Sequence, residues 1–334
     1  MSNQAPTEDQ PEAPAAELPE AGAAPETGGP VELSVIVPAY NEAENLEPLL
    51  AEFAEKLAPG YEVVLVDDGS TDGTGGVAAR LQEQYPCLVV RRHGQNLGKT
   101  AAIVTGLAAA RGGIVSVVDA DLQFDPDDVS RQLAKVRDGY DLVTGEKRGQ
   151  YDKRFVSAVY NGLARFIFRL NVKDINALKT FRREVLEGVH LRKDWHRYIV
   201  PLAAARGFSV TEIPVLLRPR LHGTPKYSSP FRVLIGFFDL VAVGFQLTFM
   251  RKPMLYFGTL GTVSLGAGFI AGLVAVILRL CGHGFRPLLY LVMLLLLSGL
   301  LLFAAGFLGE ALAALGDRLE QLEKLLQKKG RDGE

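Results

Sequence analysis

LSVIVPAY (33–40) is the first of four short apolar runs, and a segment of helical composition follows each of them. The three later runs are YEVVLVDD (61–68), CLVVRR (87–92) and GIVSVVDAD (113–121). Short runs that are apolar throughout are typical of strands covered on both faces. Strands that alternate with helices predict an α/β fold, in which helices cover both faces of a mostly parallel sheet. Ligands bind such sheets at the carboxyl ends of the strands, where polar residues cluster in this sequence.

Residues 1–32 differ in composition from the rest of the chain. They contain seven acidic residues, no Lys or Arg, and hardly any large apolar side chain. Such a segment cannot bury enough apolar surface to offset the entropy of the chain, so we predict a disordered acidic tail. The remaining chain is mildly basic, which suits an anionic ligand or a membrane surface and is too weak to indicate nucleic acid. Its two cysteines are too few for a disulfide scaffold or a four-cysteine zinc site.

Two long uncharged stretches in the last third of the chain predict a hairpin of transmembrane helices. They are Met254–Leu278 and Pro287–Gly309, and each is longer than the roughly 20 residues that cross a bilayer. Buried helices of a globular domain are the alternative, but such helices are seldom as long and as uniformly apolar. Two basic residues precede the hairpin and five follow it, whereas the connecting loop has only Arg279 and Arg286. This bias predicts that the N-terminal domain and the tail are cytoplasmic.

The stretch between the domain and the hairpin has a mixed character. PFRVLIGFFDLVAVGFQLTFM (230–250) is apolar but contains Arg232, Asp239 and Gln246, which favours a helix lying on the membrane surface over a third span. The end of the chain repeats Leu at helical spacing and predicts an amphipathic helix. We therefore expect five segments: a disordered tail (1–32), an α/β domain (33–229), an interfacial helix (230–252), a transmembrane hairpin (253–310, with helices at about 254–280 and 287–309) and an amphipathic tail (311–334).

The acid pair Asp119 and Asp121 is the strongest chemical signal in the sequence. In a strand that ends at residue 121, alternation would put both carboxylates on one face. Two carboxylates so close repel each other unless a cation lies beside them, and hard divalent cations prefer carboxylate and phosphate oxygens. The pair therefore predicts Mg²⁺ or Mn²⁺ bridging a diphosphate. A solvated turn with helix-capping acids is the alternative interpretation.

Two loops at the other strand ends predict contacts with a nucleotide. Asp68, in DDGS (67–70), can accept hydrogen bonds from a nucleobase or a ribose, although the same residues are common in turns. GQNLGKT (94–100) resembles a P-loop, but it has three residues rather than four between Gly94 and Gly98. We therefore predict that this loop opens a helix and lies over a nucleotide without wrapping its phosphate.

A cationic cluster precedes the apolar last third of the chain. RPRLHGTPKY (218–227) places Arg218, Arg220 and Lys226 around a turn. Basic side chains at the boundary between water and lipid suit a phosphate headgroup. General attraction to anionic lipids is the alternative interpretation of this cluster.

Four motifs in a fixed order resemble glycosyltransferase family 2, namely VIVPAYNEAENL (35–46), VVLVDDGSTDGT (63–74), NLGKTAAIVTGL (96–107) and VVDADLQFDP (117–126). The later elements HRYIV, EIPV and RxxGxxKY, followed by two spans, are similar to the polyprenyl-phosphate branch, which includes dolichol-phosphate mannose synthase and bacterial undecaprenyl-phosphate sugar transferases. The resemblance implies a GT-A (Rossmann-like) fold, Mg²⁺ or Mn²⁺, a nucleotide-sugar donor and a polyprenyl-phosphate acceptor.

The resemblance also implies roles for individual residues. The nucleotide-sugar would contact Pro38, Tyr40, Glu42, Asp68, Gly98, Ala120 and Gln123. Asp119 and Asp121 would hold the metal and the diphosphate, and Asp174 would orient the sugar or assist catalysis. The acceptor phosphate would contact Arg148, Arg154, Ser157, Arg220 and Lys226. Pro225 stands where the family element usually has Ser, and DINALKTFRR (174–183) lacks the usual central Gly or Cys.

These features predict an integral membrane enzyme that transfers one sugar, with inversion, from a nucleotide-sugar to a polyprenyl phosphate at the cytoplasmic face. A UDP-sugar is the favoured donor, and the absence of a QxxRW signature argues against processive synthesis. A phosphate oxygen is largely ionised at neutral pH and needs no strong base. A transferase with a hydroxyl acceptor on a lipid or protein, which would need a base such as Asp174 or Asp194, is one alternative, and a non-catalytic sugar-nucleotide-binding scaffold is another. Homo-oligomers are compatible with the sequence but not indicated by it.

Overall fold

The structure, a computed structural model, describes residues 31–148, 154–168, 170–219, 231–248 and 252–331. The predicted disordered tail therefore lies outside the described residues, apart from its last two positions. The described chain forms two compact units. The first contains residues 31–148, 154–165 and 170–219, and the second contains residues 166–168, 231–248 and 252–331.

One sheet of seven strands organises the described part of the first unit. The strands are β1 (Leu33–Ala39), β2 (Tyr61–Asp67), β3 (Leu88–Arg92), β4 (Ile114–Val117), β5 (Leu142–Arg148), β6 (Lys179–Arg182) and β7 (Val210–Leu216). Their order is β3-β2-β1-β4-β6-β5-β7. Strand β6 is antiparallel to β4 and β5, and the other pairs are parallel. The sheet is therefore mostly parallel, as the alternating pattern predicts.

The helices of the first unit, including α5 whose last three residues belong to the second unit, follow the predicted alternation. They are α1 (Ala43–Lys56), α2 (Thr74–Gln84), α3 (Lys99–Ala109), α4 (Pro126–Arg137), α5 (Arg154–Phe168) and α6 (Ile199–Ala205), with short 3-10 turns at Arg183–Val185 and Trp195–Tyr198. Pro126 occupies the first turn of α4, and Asp125 accepts a hydrogen bond from the Asp127 amide at 3.0 Å. Helix α1 begins at Ala43 with Glu42 in the N-cap position, and the preceding Asn41 adopts a left-handed backbone with φ of 54°.

Both faces of the central strand β1 are covered, as its unbroken apolar sequence predicts. Val35 and Val37 belong to the main core together with Leu46 and Phe53 of α1. On the opposite face lies helix α3, which approaches so closely that a Cβ atom on Gly106 would lie 2.4 Å from Cγ2 of Ile36. The close contact of α3 with the sheet fixes the start of this helix at the carboxyl ends of the strands.

Strand β4 is shorter than the sequence predicts. Its pairing with β1 ends at Ile36 and Val117, and the Val118 amide donates to the Ile36 carbonyl at 3.0 Å. The chain then leaves the sheet to reach the start of α4. Asp119 and Asp121 consequently lie in the turn after β4, so strand alternation does not determine where their carboxylates point.

The second unit is helical. Helix α7 spans Phe231–Thr248, a π-helical turn spans Met254–Gly258, and α8 and α9 span Thr259–Leu280 and Arg286–Arg331. Among the described residues, two segments are long and apolar enough to cross a membrane, Met254–Leu280 and Arg286–Gly316. Only 6% of the residues in their most apolar windows are buried, so most of this apolar surface is available to lipid.

Helices α8 and α9 pack closely through small residues, as the predicted hairpin requires. A Cβ atom on Gly261 would lie 2.8 Å from the Gly299 carbonyl oxygen. Helix α9 is continuous, so the predicted second span and the predicted amphipathic tail form one helix. Residues 231–248 are helical as predicted, and their placement on the membrane surface stays a prediction.

We expect Gly106→Ala to destabilise the protein although alanine favours helices. The added methyl group would collide with Ile36, and overpacking of this kind typically costs about 1–3 kcal/mol. Gly76→Ala in α2 is the matched control, because its Cβ would meet no atom within 4 Å, and it should stabilise by about 0.5–1 kcal/mol. Unfolding midpoints of the full-length protein in one detergent measure both effects. A Gly106→Ala protein as stable as the unmodified protein would contradict the packing argument.

Candidate active site

Polar residues from several strands meet at one edge of the sheet. Strands β1, β2, β4 and β5 run in the same direction and end there, whereas the antiparallel β6 begins there. Val117, the last residue of β4, pairs with Lys179, the first residue of β6. The residues gathered at this edge include Tyr40, Glu42, Asp68, Asp119, Asp121, Lys147 and Lys179.

The loops after β1 and β2 are joined by hydrogen bonds. The Asn41 amide donates to the Ser70 hydroxyl and the Glu42 amide to the Thr74 hydroxyl, each at 2.9 Å. In the other direction, the Thr71 amide donates to the Asn41 side-chain oxygen at 2.9 Å. The polar residues of DGSTDGT therefore fix the loop that carries Tyr40 and Glu42.

The predicted nucleotide contacts from β1 lie at this edge. Pro38 is half-buried opposite Val66 in the sheet, and Tyr40 follows the strand directly. The Glu42 carboxylate accepts a hydrogen bond from the Asn45 side chain at 2.6 Å. Ala120, between the two acids of the following turn, is 3% exposed.

Asp68 organises the loop that leads to α3. Its carboxylate accepts hydrogen bonds from the amides of Leu97 at 2.9 Å and Gly98 at 2.8 Å, and it contacts His93 Nδ1 at 2.7 Å. Burial raises the pKa of Asp68, but the hydrogen bonds from His93 and these amides outweigh burial and hold the pKa below its usual value. The predicted nucleotide contacts Asp68 and Gly98 are thus joined by a hydrogen bond between the Gly98 amide and the Asp68 carboxylate. Gly98 has a φ of 93°, a left-handed backbone conformation that favours glycine.

The Asp119 carboxylate forms an ion pair with Lys99, the first residue of α3. The two side chains remain 39% and 34% exposed, so a ligand can reach them. Burial raises the pKa of Asp119, but the positive charges of Lys99, Lys179 and Lys147 lower it further, and the net shift is downward. Asp119 is therefore ionised and surrounded by ammonium groups.

A small cavity beside this ion pair is lined by further polar residues. Lys179, Asn176 and His196 line it together with Lys99 and Asp119. The pKa of Lys179 is lowered to about 7, mainly by burial and next by the positive charges of neighbouring lysines. Burial and the same kind of repulsion hold the pKa of His196 well below its usual value, so its ring is neutral at pH 7.

Asp174 is tied to Lys147. The Lys147 ammonium lies 3.7 Å from the Asp174 carboxylate and donates to the Asn176 carbonyl at 3.2 Å. Asp174 also accepts a hydrogen bond from the Asn176 amide at 2.8 Å, and its side chain is only 5% exposed. Lys99, Lys147 and Lys179 therefore lie together near the carboxylates of Asp119 and Asp174, and basic side chains grouped in this way can bind an anionic ligand.

Asp121 and Gln123 shape the turn after β4. The Gln123 amide donates to the Asp121 carboxylate at 3.3 Å. Gln123 also exchanges hydrogen bonds with the backbone of Arg218, through its side-chain amide at 3.3 Å and its carbonyl oxygen at 2.8 Å. Gln123 thereby fixes the start of the basic segment after β7 against the turn that carries the acid pair.

The acid pair fits a divalent cation that binds together with a diphosphate. The described residues contain no group of three or more His, Cys, Asp or Glu side chains able to hold a metal ion on their own. Mg²⁺ is commonly held by one or two carboxylates, with phosphate oxygens and water completing its ligands. Asp119 and Asp121 supply such a partial set, and the partly exposed Asp119 leaves room for the other ligands.

The structure describes few of the predicted acceptor contacts. Arg148 ends β5, is exposed and lies 3.3 Å from the Glu146 carboxylate. Arg154 and Ser157 lie in the first turns of α5, where side chains are outside the described part. Arg220 and Lys226 also lie outside the described residues.

Comparison with known proteins identifies the family. The model of glycosyl transferase family 2 matches residues 34–187. Dodecaprenyl-phosphate galacturonate synthase of Rhizobium johnstonii is 31% identical, over 85% of this chain and 88% of its own. Undecaprenyl-phosphate 4-deoxy-4-formamido-L-arabinose transferase of Pseudomonas paraeruginosa is also 31% identical, over 85% of this chain and 86% of its own. The chain therefore belongs to glycosyl transferase family 2 and is a glycosyltransferase.

A solved structure supports the fold. Glucosyl-3-phosphoglycerate synthase from Mycobacterium tuberculosis, in complex with Mn²⁺, UDP and phosphoglyceric acid, matches with a TM-score of 0.51 and 20% identity. The match covers 65% of this chain and 78% of that chain. The predicted GT-A fold is confirmed, and so is membership of the family.

Several site residues are not singled out by sequence pattern alone. Lys99 belongs to the P-loop-like segment, and Lys179 lies in the segment 174–183, where the sequence pattern gives it no role. His93 and His196 lack metal-ligand spacing, and each instead contacts a residue of another loop or helix. The NLGKT motif is the one sequence signal that includes Lys99.

The lowered pKa of Lys179 predicts a pH dependence of stability. Between about 7 and its ordinary value of 10.5, the folded state binds fewer protons at Lys179 than the unfolded state does. The free energy of unfolding should therefore rise with pH across this interval. Lys179→Met removes the buried charge, so we expect it to be more stable than the unmodified protein at pH 7 and to lose this rise.

Denaturation midpoints of the full-length protein between pH 7 and 9.5 measure the effect. Lys135→Met is the control, because Lys135 is exposed and pairs with Asp138 on the surface of α4. An identical pH dependence in the unmodified protein and in Lys179→Met would show that Lys179 does not titrate in this range.

Proposed function

We propose that this glycosyltransferase transfers a single sugar, with inversion, from a nucleotide-sugar to a polyprenyl phosphate at the cytoplasmic face of a membrane. A UDP-sugar is the favoured donor. The observation that carries the proposal is the ionised Asp119 among Lys99, Lys147 and Lys179, in a chain whose described part also contains two helices apolar enough to span a membrane. Relatives that match 85% of the chain are named for transfer to dodecaprenyl or undecaprenyl phosphate.

The acid pair and the lysines suit the donor diphosphate. A Mg²⁺ or Mn²⁺ ion held by Asp119 and Asp121 would stabilise the negative charge of the departing nucleoside diphosphate. Lys99 and Lys179, which line the cavity beside Asp119, add positive charge on the same side. Two solved structures of glucosyl-3-phosphoglycerate synthase, which has the same fold, contain UDP with Mn²⁺ or with Mg²⁺, which supports the choice of donor and metal.

The acceptor supplies its own nucleophile. An oxygen of the lipid phosphate forms the new bond to the anomeric carbon, and the bond from that carbon to the diphosphate oxygen breaks with its electron pair on the diphosphate. The attacking oxygen is ionised at neutral pH, so the protein has to bring two anions together rather than remove a proton. Arg148 and the predicted contacts Arg154, Ser157, Arg220 and Lys226 would hold the acceptor phosphate.

The environment of Asp174 favours a phosphate acceptor over a hydroxyl acceptor. A hydroxyl group would need a base within hydrogen-bond reach. Asp174 is 5% exposed, lies 3.7 Å from the Lys147 ammonium and accepts a hydrogen bond from the Asn176 amide. These contacts suit a residue that positions Lys147 better than one that removes a proton from an acceptor.

Sugar transfer to undecaprenyl phosphate can be tested directly by detecting the glycosylated lipid. Purified full-length protein in detergent, with Mn²⁺ or Mg²⁺ and undecaprenyl phosphate, is incubated with each of a panel of nucleotide-sugars. The proposal expects release of nucleoside diphosphate and formation of a lipid-phosphate sugar with at least one donor. Sugar transfer that proceeds only to a hydroxyl lipid or to protein would refute it.

We expect Asp121→Asn to reduce transfer by roughly 100-fold or more, as loss of one preorganised electrostatic partner does in other enzymes. Asp138→Asn is the control, because Asp138 is an exposed acid at the end of α4. Initial rates at saturating metal measure the loss. Near-normal turnover of Asp121→Asn would show that Asp121 is not needed to hold the metal.

The nature of the nucleophile predicts a preference among acceptors. Undecaprenyl phosphate should be glycosylated and undecaprenol should not, because the alcohol has no ionised oxygen near neutral pH. Rates with the two lipids at equal concentration in the same detergent measure the preference. Comparable rates would indicate a hydroxyl acceptor and a general base.

A further inference from the structure

Lys99 occupies a fixed position at the start of α3. On one side, the amides of Leu97 and Gly98 are bound by the Asp68 carboxylate at 2.9 and 2.8 Å. On the other side, the Thr100 hydroxyl is hydrogen-bonded to His196 at 2.9 Å. The backbone around Lys99 is therefore held by contacts to two other parts of the fold, while its long side chain stays 34% exposed.

The anion that Lys99 contacts is a predicted metal ligand. Its ammonium group pairs with the Asp119 carboxylate. A divalent cation bound to Asp119 would need the same carboxylate oxygens, and two cations on one carboxylate repel each other. Lys179 and Lys147 also act on Asp119 and add to this repulsion.

A nucleoside diphosphate changes this balance. It brings negative charge that can pair with the Lys99 ammonium, because lysine is a flexible point charge that binds phosphate well. Once Lys99 has a phosphate partner, the Asp119 carboxylate is available to a metal ion. The diphosphate oxygens then complete the set of metal ligands that two acids alone do not fill.

We propose that Lys99 makes metal binding at Asp119 depend on the nucleotide. Without a nucleotide, the Lys99 ammonium group pairs with the Asp119 carboxylate. When a nucleoside diphosphate binds, the ammonium group pairs with the diphosphate instead, and the carboxylate can bind Mg²⁺ or Mn²⁺. This inference rests on the proposed function only for the presence of a nucleotide-sugar donor, and it does not depend on the acceptor. Lys99 acts here as a positioning residue and as an internal counter-cation of the site.

The proposal has a thermodynamic consequence. If UDP strengthens Mn²⁺ binding by a given factor, Mn²⁺ must strengthen UDP binding by the same factor. Removal of the Lys99 charge should lower this factor, because Mn²⁺ no longer has to displace an ammonium group. A residue that only supports the local fold would weaken metal binding rather than strengthen it.

Titration of the full-length protein with Mn²⁺, followed by the electron paramagnetic resonance of free Mn²⁺, tests the proposal with and without UDP. In the unmodified protein we expect weak binding without UDP and much tighter binding with it. Lys99→Gln should bind Mn²⁺ about tenfold more tightly without UDP, and UDP should add less. Lys135→Gln, which removes an exposed lysine of an Asp138 pair, should behave like the unmodified protein.

Lys99→Arg keeps the positive charge and should keep the dependence on UDP, so it separates charge from local structure. Mn²⁺ affinity that is unchanged or weaker in Lys99→Gln without UDP would overturn the inference. The acceptor has no part in these titrations. A protein that shows the expected Mn²⁺ pattern but transfers no sugar to undecaprenyl phosphate would therefore refute the proposed function and leave the role of Lys99 intact.

Discussion

The concentration of positive charge around the Asp119 carboxylate is the constraint on which the site depends. Lys99 comes from the start of α3, Lys147 from the end of β5, and Lys179 from the start of β6. Burying the Lys179 ammonium among like charges is costly, and Asp119 and Asp174 offset only part of this cost. Such a site is relieved by an anionic ligand, which is why a nucleoside diphosphate fits it better than a neutral molecule does.

The antiparallel strand β6 brings these charges together. In an entirely parallel sheet, the first residue of a strand would lie at the edge opposite the ligand. Because β6 runs against β4 and β5, Lys179 lies beside Val117 and Thr144 at the carboxyl edge. The antiparallel strand β6 therefore places the buried Lys179 at the carboxyl edge of the sheet. The other strands contribute only their last residues and the loops that follow them.

Internal hydrogen bonds shape the remaining part of the edge. Asp68 binds His93, Leu97 and Gly98, and in this way it fixes the loop before Lys99. Asn41 and Ser70 join the two loops on the other side. Side chains held by such contacts lose little further freedom when a ligand binds, and binding energy is then available to align the reacting groups.

The α/β alternation, the mostly parallel sheet, the apolar helical hairpin and the family can all be predicted from the sequence, because each leaves a periodic or ordered pattern along the chain. The role of Asp119 and Asp121 as metal ligands stays a prediction, and the alternation argument for it is wrong because β4 ends at Val117, before both residues. The folded structure was needed to show that Lys99, Lys179 and His196 line one cavity with Asp119 and that Asp174 pairs with Lys147. These contacts join residues 20 to 96 positions apart, such as Lys99 with Asp119 and Thr100 with His196. Local pattern carries no information about such pairs, since strand order and strand direction set them.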